Sequence, residues 1–332
     1  MHCKTFVGID VSKSTFDAFI HGTDHHKQFP NLERGFESLC KWIGLLQPGT
    51  ELKDVHVSFE HTGLYSLPLA IYLEGRQIAF SMINALQIKR SSGLVRGKND
   101  KIDAKRIAEY AYLHREKMPL TKMPSRQMIQ LQPLLALRDR LVRQRAGMEA
   151  TRHEQARFLS KTHAMDMSDI YDHVIDTLKE QIQRVDAAMK LIIELDPELK
   201  LTFDLITGIK GVGKTVAIYL IVYTHNFTRF ATWRKFACYA GVAPFENQSG
   251  TTYLGKTKVS SLANKQIKKM LHLAALSASR TDAELHAYFV KRVQGGKSKM
   301  ATLNIIRNKI LSRVFAVAMR KSPYVDIAKY AA

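Results

Sequence analysis

Four acidic residues in the first third of the chain have the types and positions that metal-dependent phosphoryl chemistry requires. Asp10 closes an apolar strand-like run in GIDVSK, and Glu60 closes another in VSFE. Asp100 and Asp103 lie three residues apart at the start of a helical pattern, so both project from one helix face. Four carboxylates brought together would repel one another, and two Mg²⁺ ions, which prefer oxygen ligands, would neutralise them. Two such ions would also stabilise the attacking and leaving oxygens of a phosphodiester displacement.

An ordinary structural role is also open for each of these acids. Asp100 and Asp103 could complement the dipole of the helix that they begin, and Asp10 and Glu60 could be solvated strand ends. Basic residues around the helical pair favour the metal site, because they suit a phosphate backbone. The residues that we predict to contact nucleic acid here are Arg96, Lys98, Lys101, Lys105 and Arg106.

A glycine-rich segment, GIKGVGKT, begins at Gly208 and matches the phosphate-loop pattern GxxxxGK[ST]. A phosphate loop needs a buried strand before it, and the preceding LTFDLIT is a poor strand. A helix–hairpin–helix explains the segment better, because glycine amides at a helix N-terminus can hold one DNA phosphate. The predicted contacts are Gly211, Gly213 and Lys214.

Ser249 lies in a polar stretch, QSGT, which we expect to be a flexible loop between helices. A serine in a glycine-containing loop is more commonly a linker residue than a nucleophile. No neighbouring His–Asp pair is evident to activate it, so a hydrolase triad has little support. Lysines follow this stretch, and those that we predict to bind nucleic acid are Lys256, Lys258 and Lys268.

The elements that must position the four acids alternate between strands and helices. Strands are predicted at 6–10, 15–21, 28–30, 56–60 and 78–83, and helices at 32–46, 65–74 and 100–114. The order is a β-meander followed by alternating helices and strands. It predicts an α/β domain built on a mixed sheet over residues 1–115.

The rest of the chain is predicted to be mostly helical. Residues 116–200 carry apolar side chains near heptad spacing, with a break around Thr162–Asp169. This pattern indicates a long helical hairpin or coiled coil that serves as a spacer or an oligomerisation arm. Packing of these helices within the chain is the alternative. Residues 201–332 form a third segment, all-α apart from loops rich in Gly, Ser and Thr.

The positive charge of the chain is concentrated in this last segment. The 332 residues have a formal net charge of +20, and residues 201–332 contain 21 Lys and Arg against 5 Asp and Glu. Such an excess indicates a polyanion partner, DNA or RNA. No stretch is apolar enough to span a membrane and the start lacks the apolar core of a signal peptide, so we expect a cytoplasmic protein. Cys3, Cys40 and Cys238 are far apart in sequence and are predicted to be free thiols.

Both ends of the chain resemble the DEDD-type transposases of bacterial insertion sequences, a family that includes the Piv-type DNA invertases. GIDVSKSTFD, FEHTGLY and KNDKIDAKRIAEYA resemble the family's Asp-Glu-Asp-Asp motifs. The stretch from ITGIKGVGKTVA to NQSGTTYLGKTKVS resembles its C-terminal transposase domain, and GGKSKMA with IIRNKILSRVFAVAM resembles its closing helices. The likeness covers nearly the whole chain and is weakest over 116–200.

The resemblance implies a RuvC-like, ribonuclease-H-like first domain that holds Mg²⁺ through Asp10, Glu60, Asp100 and Asp103. It implies a coiled coil next, and then a domain in which Ser249 corresponds to the family's nucleophile. The expected protein is a nucleoid-associated bacterial recombinase, a homodimer or homotetramer that cuts and rejoins donor and target DNA under the guidance of a structured non-coding bridge RNA. One departure is the run from Ser261 to Lys268, which lacks the Gly and the Arg of the family's SKxGNxxLR-like pattern.

Two other functions are open. A structure-selective endonuclease, resembling a Holliday-junction resolvase, would activate water at the metal site and would leave Ser249 without a role. A non-catalytic protein could bind DNA or RNA, although four intact carboxylates at the motif positions argue against it. A covalent protein–DNA adduct distinguishes the recombinase from the endonuclease.

Overall fold

The computed structural model describes residues 3–61, 63–91, 99–158, 161–249 and 253–325. For residues 161–166, 249, 253, 254 and 256 it describes the backbone alone. The chain forms two compact units, Met1–Met123 and Pro124–Ala332. These two units are defined by packing. The division into segments 1–115, 116–200 and 201–332 is based on charge and sequence pattern, and it stays a prediction.

The N-terminal unit is a five-stranded sheet with helices packed on it. Its strands are β1 (Thr5–Val11), β2 (Thr15–Ile20), β3 (His26–Pro30), β4 (Val55–Glu60) and β5 (Ala79–Ile83). Its helices are α1 (Glu33–Leu46), α2 (Leu67–Gly75), α3 (Ala85–Ser91) and α4 (Asp100–Leu113). Every strand and helix predicted in this part of the chain is confirmed, and α3 is an additional short helix.

The strands of this unit lie in the order β3-β2-β1-β4-β5. β1, β2 and β3 form an antiparallel meander, whereas β1, β4 and β5 are parallel neighbours. Short turns suffice to join antiparallel strands, and parallel neighbours need the longer crossover connections that contain α1 and α2. The α/β class and the mixed sheet that the sequence predicted are confirmed.

Side chains of β1 alternate between the two faces of the sheet, because successive residues of a strand point to opposite sides. Val7, Ile9 and Val11 are buried in the core that α1 and α2 also enter. Gly8 and Asp10 therefore face the other side, where α4 packs against β1 and β2. Both faces of β1 are covered, so Asp10 is the one partly exposed residue of this strand.

Gly8 allows α4 to lie directly on the sheet. A Cβ atom at this position would be 2.2 Å from the backbone nitrogen of Ala108 and 2.3 Å from the carbonyl oxygen of Ala104. These two alanines are fully buried and pack with Phe19 of β2. Because Asp100 lies one turn before Ala104, this close approach also sets the distance of the first turn of α4 from β1.

The C-terminal unit consists of two long helices, a β-hairpin and a set of shorter helices. Its helices are α5 (Arg126–Phe158), α6 (Lys161–Glu194), α7 (Pro197–Thr207), α8 (Lys214–Thr224), α9 (Trp233–Tyr239), α10 (Lys265–Thr281), α11 (Ala283–Gln294) and α12 (Lys299–Arg320). Its strands are β6 (Pro244–Ser249) and β7 (Tyr253–Val259). This part of the chain is largely helical, as predicted.

α5 and α6 form a long helical hairpin, as the heptad-like pattern indicated. Arg138 of α5 pairs with Asp186 of α6, and Arg152 farther along α5 pairs with Asp172, so the two helices are antiparallel. The break predicted around Thr162–Asp169 is wrong, because α6 runs through those residues. Polar residues there resemble a loop in sequence, but contacts along a long helix override weak local propensity.

One end of this hairpin packs into the core of the C-terminal unit. Met128 and Leu135 of α5 and Met189 of α6 belong to the same buried cluster as the apolar residues of α8, α10 and α12. α8 lies at the centre of that cluster, and most of its residues are buried. Packing within the chain, the alternative that the sequence left open, therefore accounts for this end of the hairpin.

Two further expectations concern the state of the cysteines and the presence of membrane-spanning segments. Cys3, Cys40 and Cys238 are free thiols, as predicted. None of the helices in the described ranges combines the length and the apolar character that crossing a bilayer requires. The longest two, α5 and α6, carry charged residues at short intervals along their sequences.

Replacing Gly8 with Ala is expected to destabilise the N-terminal unit by about 2 kcal/mol, because the added methyl group collides with helix backbone that cannot move aside. Gly44→Ala in α1 is the matched control, since a Cβ there meets nothing within 4 Å. That change should stabilise the unit by about 0.5–1 kcal/mol. Urea unfolding followed by Trp42 fluorescence, in a Trp233→Phe background, reports on this unit. Equal stabilities of the two variants would contradict the role given to Gly8.

Candidate active site

Asp10 and Glu60 lie on the face of the sheet that α4 covers. Their neighbours Ile9 and Phe59 are buried in the core on the opposite side, and side chains alternate along a strand. β1 and β4 are parallel with Ile9 opposite Phe59, so the two acids lie at the carboxyl ends of adjacent strands. That edge is where open α/β sheets build their sites.

Asp100 and Asp103 reach the same face from the first turn of α4. Asn99 caps this helix, and its side-chain oxygen accepts a hydrogen bond from the Lys101 backbone nitrogen at 3.0 Å. The cap places the two acids within the first turn, three residues apart on one side of the helix. Asp100 is exposed and Asp103 is half-buried.

The arrangement of these acids changes the pKa of Asp10. Its pKa is raised from 3.8 to about 6, first by burial and then by the charges of Asp100, Asp103, Glu60 and Asp17. Like charges shift a pKa in this way only when the carboxylates are close together. An excess of negative charge and a set of donors made only of oxygen atoms fit a hard divalent cation.

The four acids do not yet form a closed set of metal ligands. Among the described residues, no three His, Cys, Asp or Glu side chains are arranged so that they could hold a metal ion. Asp103 instead forms a salt bridge with Arg106, whose Nη1 lies 2.8 Å from Oδ1 of the carboxylate. Arg106 therefore competes for one of the predicted ligands, and a metal bound by that oxygen would have to displace it.

Asp17 is an acid of this face that the sequence analysis missed. It lies opposite Asp10 in the antiparallel pair of β1 and β2, and it is only 5% exposed. His26 and Gln28 of β3 hold its carboxylate at 2.7 and 3.0 Å. The sequence signal for Asp17 is an acid at the third position of the otherwise apolar strand TFDAFI. The short turn before this strand determines its register with β1, and that register places Asp17 opposite Asp10.

Three of the predicted nucleic-acid contacts lie on α4. Lys101 and Lys105 are exposed, and the Lys105 ammonium lies 5.5 Å from the centre of the Phe19 ring. The third, Arg106, is engaged by the carboxylate described above. The other two predicted contacts of this group, Arg96 and Lys98, lie outside the described residues.

Ser249 ends strand β6, so the expectation of a flexible loop between helices is wrong. β6 and β7 form an antiparallel hairpin in which Ser249 is opposite Tyr253. A ribbon of mostly polar residues has little apolar alternation, which is why the strand pattern was not recognised. The side chains of Ser249 and Lys256 lie outside the described residues, and Lys258 is exposed on β7.

The glycine-rich segment joins two helices. α7 precedes it and α8 follows it, so the strand that a phosphate loop requires is replaced by a helix, and that alternative is excluded. Gly211 has a φ of +92°, and a Cβ there would lie 2.6 Å from that of Ala278, so packing against α10 accounts for this glycine. Gly213 and Lys214 are exposed at the N-terminus of α8 and stay predicted phosphate contacts.

The run that departs from the family pattern begins α10. Asn264 caps this helix, accepting hydrogen bonds from two backbone nitrogens of the first turn at 3.1 Å each. Ala263 replaces the family's Gly, and a Cβ at Gly241 would lie 2.1 Å from the Ala263 methyl group. Gly241 therefore makes room for the alanine, and the cap forms normally. Lys268 is half-buried one turn into the helix.

Comparison with known proteins agrees with this architecture. Residues 7–163 match the family model of a DEDD-type IS110 transposase, and residues 203–290 match that of the transposase IS116/IS110/IS902 family. Pilin gene-inverting proteins of Moraxella lacunata and Moraxella bovis are each 32% identical over 327 residues, which cover 97% of this chain and 98% of theirs. An uncharacterized 43.6 kDa protein of insertion element IS110 from Streptomyces coelicolor is 27% identical over 143 residues, 43% of this chain and 34% of that protein.

These matches define an enzyme of DNA transposition. The chain belongs to the IS116/IS110/IS902 transposase family. Proteins of this class cleave and rejoin DNA strands. The resemblance stated from the sequence motifs is therefore confirmed.

His56 is a second residue of the N-terminal unit whose pKa is strongly shifted. Its Nε2 lies 3.0 Å from the Ser81 hydroxyl, and that hydroxyl donates to the Pro119 carbonyl oxygen at 2.9 Å, so Nε2 carries the proton. Nδ1 is buried and has no hydrogen-bond partner among the described residues. Burial lowers the pKa of His56 from 6.5 to about 4, because charging the ring there is costly.

Asp10 and His56 should give opposite pH dependences to the stability of the N-terminal unit. The folded-state pKa of Asp10 is raised to about 6, so its contribution to the free energy of unfolding is lost as the pH rises from about 4 to about 6. The folded-state pKa of His56 is lowered to about 4, so its contribution is lost as the pH falls from about 6.5 to about 4. The two slopes largely cancel in the unaltered protein.

Removing either group should reveal the slope of the other. In metal-free buffer, Asp10→Asn is expected to give a free energy of unfolding that increases by about 2 kcal/mol from about pH 4 to about pH 6.5. His56→Gln is expected to give a decrease of about the same size. Urea unfolding followed by Trp42 fluorescence at a series of pH values measures both. If the free energy of unfolding changed with pH in the same direction in both variants, the pKa shifts of Asp10 and His56 would not have opposite effects on stability.

Proposed function

We propose that this transposase is an insertion-sequence recombinase that cuts and rejoins double-stranded DNA with a carboxylate-bound Mg²⁺ site and a serine nucleophile. The observation that carries the proposal is the placement of four acids at one site: Asp10 and Glu60 at the carboxyl ends of adjacent parallel strands, and Asp100 and Asp103 in the first turn of α4. Burial and the charges of the neighbouring acids raise the pKa of Asp10 to about 6, in agreement with this placement. Asp103 is paired with Arg106, and the charges of Asp100, Asp103 and Glu60 act on Asp10. Carboxylates held close to one another in this way favour binding of a divalent cation.

The topology of the N-terminal unit supports a RuvC-like, ribonuclease-H-like domain. A central β1 has an antiparallel meander on one side and parallel strands on the other, in the order β3-β2-β1-β4-β5. Asp10 and Glu60 belong to the two central parallel strands. Asp100 and Asp103 belong to the helix that packs on β1, which is the distribution that the Asp-Glu-Asp-Asp motifs imply.

The residues proposed to hold the metal are Asp10, Glu60, Asp100 and Asp103. Mg²⁺ bound there, as one ion or two, would polarise the scissile phosphate and stabilise the attacking and leaving oxygens. Other residues of the face orient the acids. Arg106 restrains Asp103 through its salt bridge, and His26 holds Asp17 opposite Asp10.

Ser249 is the proposed nucleophile. Its hydroxyl oxygen attacks phosphorus and forms a phosphoserine ester, while the bond from phosphorus to the 3′ oxygen breaks. The serine loses one proton and the 3′ oxygen gains one, so the step is balanced. Attack by a 3′-hydroxyl on the phosphoserine reverses these changes and rejoins a strand without an external source of energy. The match of NQSGTTYLGKTKVS to the family's C-terminal domain supports this assignment.

The relatives favour rejoining over hydrolysis. Two of them, from Moraxella, are named for inverting a pilin gene. Inversion of a DNA segment conserves the DNA, so every cut end must be joined again. An endonuclease that activates water would leave the ends open, and we therefore propose recombination for this chain.

A structured non-coding RNA is the proposed guide to donor and target DNA, and a homodimer or homotetramer is the proposed assembly. The 21 Lys and Arg against 5 Asp and Glu in residues 201–332 support binding to a polyanion, which DNA and RNA both are. Pairing by a guide RNA would replace direct reading of bases by the protein. Sequencing of the nucleic acid that co-purifies with the native protein tests this part, and the absence of a discrete RNA would contradict it.

Ser249→Ala is expected to reduce recombination by about a thousandfold or more, because no other group replaces the attacking hydroxyl. The variant should also lose the covalent protein–DNA adduct, which is detected with end-labelled DNA on a denaturing gel before and after protease treatment. Ser261→Ala, at an exposed serine of the same region, is the control and should keep both activities. Full recombination by Ser249→Ala would exclude the serine as nucleophile. Hydrolysed DNA without any adduct would favour the endonuclease.

Mg²⁺ is expected to stabilise the N-terminal unit by about 2.7 kcal/mol at a concentration one hundred times its Kd, as binding to the folded state alone requires. Urea unfolding followed by Trp42 fluorescence at neutral pH measures this effect independently of catalysis. Asp10→Asn and Asp103→Asn should abolish it, whereas Asp24→Asn, at an exposed acid, should leave it unchanged. Equal stabilisation of all four proteins by Mg²⁺ would contradict the proposed site.

A further inference from the structure

Arg307 of α12 is a buried arginine, with 6% of its surface exposed. Its Nη2 donates to Nδ1 of His272 at 2.6 Å, and its Nη1 donates to Oδ1 of Asn304 at 3.3 Å. A guanidinium has five N–H donors, and these two acceptors satisfy only part of them. Nε is buried without a hydrogen-bond partner among the described residues. The side chain is thus held in place, and part of its hydrogen-bonding capacity is unused by the described residues.

The charge of Arg307 is not balanced by a described acid. Arg313 on the same helix shows the usual arrangement, with Asp282 at 2.7 Å and Glu284 at 2.5 Å. Within the described part of the chain no such ion pair forms at Arg307, and burial lowers the pKa of its guanidinium. A buried charge without a counter-charge is unfavourable, so this site favours an anion from outside the chain.

His272 does not supply that negative charge. A guanidinium can only donate hydrogen bonds, so Nδ1 of His272 accepts and the proton of the neutral ring is on Nε2. Burial and the charge of Arg307 lower the pKa of His272, which keeps the ring neutral. Lys268 lies one turn before His272 on the same side of α10 and adds a second positive charge to this region. The partners of Arg307 are therefore neutral acceptors, and the nearby charge on α10 is positive.

Two hydrogen bonds join this group to the base of the hairpin that carries Ser249. Nδ2 of Asn304 donates to the Val242 carbonyl oxygen at 2.9 Å, and Nδ2 of Asn308 donates to the same oxygen at 3.0 Å. Val242 lies just before β6. Asn304 thus contacts both the arginine and the root of the hairpin, and it fixes the position of one relative to the other.

We propose that Arg307, held by His272 and Asn304, binds a phosphate of the DNA backbone beside the root of the β6–β7 hairpin. The guanidinium suits a phosphate because its forked donors can contact two oxygens at once. The surrounding segment has 21 Lys and Arg against 5 Asp and Glu, which favours a nucleic-acid phosphate over the carboxylate of a peptide. This inference rests on the proposed function, because it takes DNA as the ligand.

The test compares variants of the full-length protein in binding to a short DNA duplex of mixed sequence over a range of salt concentrations. Arg307→Met keeps the length of the apolar stem and removes the charged fork. We expect it to weaken binding by about tenfold and to reduce the slope of log Kd against log salt by about one. Lys309→Met removes one positive charge from the same helix, at a side chain that pairs with Glu284, and should change affinity less than about twofold.

Arg307→Lys distinguishes the contribution of the planar guanidinium donors from that of the positive charge. It keeps a positive charge but loses the planar pair of donors, so we expect an affinity between those of Arg307→Met and the unaltered protein. Full affinity in Arg307→Lys would overturn the forked contact. Binding and salt slopes that are the same in Arg307→Met and Lys309→Met would overturn the phosphate site altogether.

A thermal measurement separates binding from folding. Inorganic phosphate should raise the Tm of the unaltered protein and of Lys309→Met, followed by Trp233 fluorescence in a Trp42→Phe background, but not the Tm of Arg307→Met. Without phosphate, Arg307→Met should be at least as stable as the unaltered protein, since it removes an unbalanced buried charge. A large loss of Tm in that variant, with an unchanged response to phosphate, would show a structural role and overturn the proposal.

The source of the phosphate and the dependence on the proposed function are tested separately. A tenfold loss seen with an RNA duplex but not with DNA would overturn the assignment to the DNA backbone. If the proposed function is wrong, Ser249→Ala will keep both the covalent adduct and recombination. Failure of the present inference would instead leave the Ser249→Ala results as expected and appear in the binding and thermal measurements on Arg307→Met.

Discussion

The close contact between α4 and β1 across Gly8 is the constraint on which the candidate active site depends. Because Gly8 has no Cβ, the backbone of α4 at Ala104 and Ala108 lies directly on the strand. Two acids then come from strand ends and two from the first turn of the helix. Burial first, and then the charges of the neighbouring acids, raise the pKa of Asp10 to about 6. A bulkier contact between helix and sheet would separate the carboxylates and weaken that interaction.

Each of the two units contains charge that its own described residues balance only in part, and the signs are opposite. The N-terminal unit holds acids against one another, with Asp103 restrained by Arg106. The C-terminal unit holds Arg307 between neutral partners, His272 and Asn304. Unbalanced charge of this kind destabilises an isolated fold and is characteristic of sites completed by a ligand. The proposed ligands, a cation at the first site and a phosphate at the second, have the charges that would balance them.

Local pattern predicted the N-terminal unit well and the C-terminal unit less well. In β1 and β4, apolar runs that end in an acid are strong signals, and both Asp10 and Glu60 lie where the pattern indicated. The β6–β7 hairpin was missed because its polar strands lack an apolar face, and the break near Thr162–Asp169 was placed inside a helix that runs through those residues. Asp17 was missed because its proximity to Asp10 follows from strand pairing, which one strand alone does not show.

The amino-acid sequence by itself determined the strands of the sheet, two acids at strand ends and two at the start of a helix, the positive charge of the last segment and the family to which the chain belongs. These properties follow from residue types and spacing, which are local. Only the tertiary structure decided that the acids share the face covered by α4, that packing against α10 accounts for Gly211, and that Arg307 is buried without a described acid beside it. Burial and repulsion depend on residues distant in the chain, so they exist only once the chain has folded.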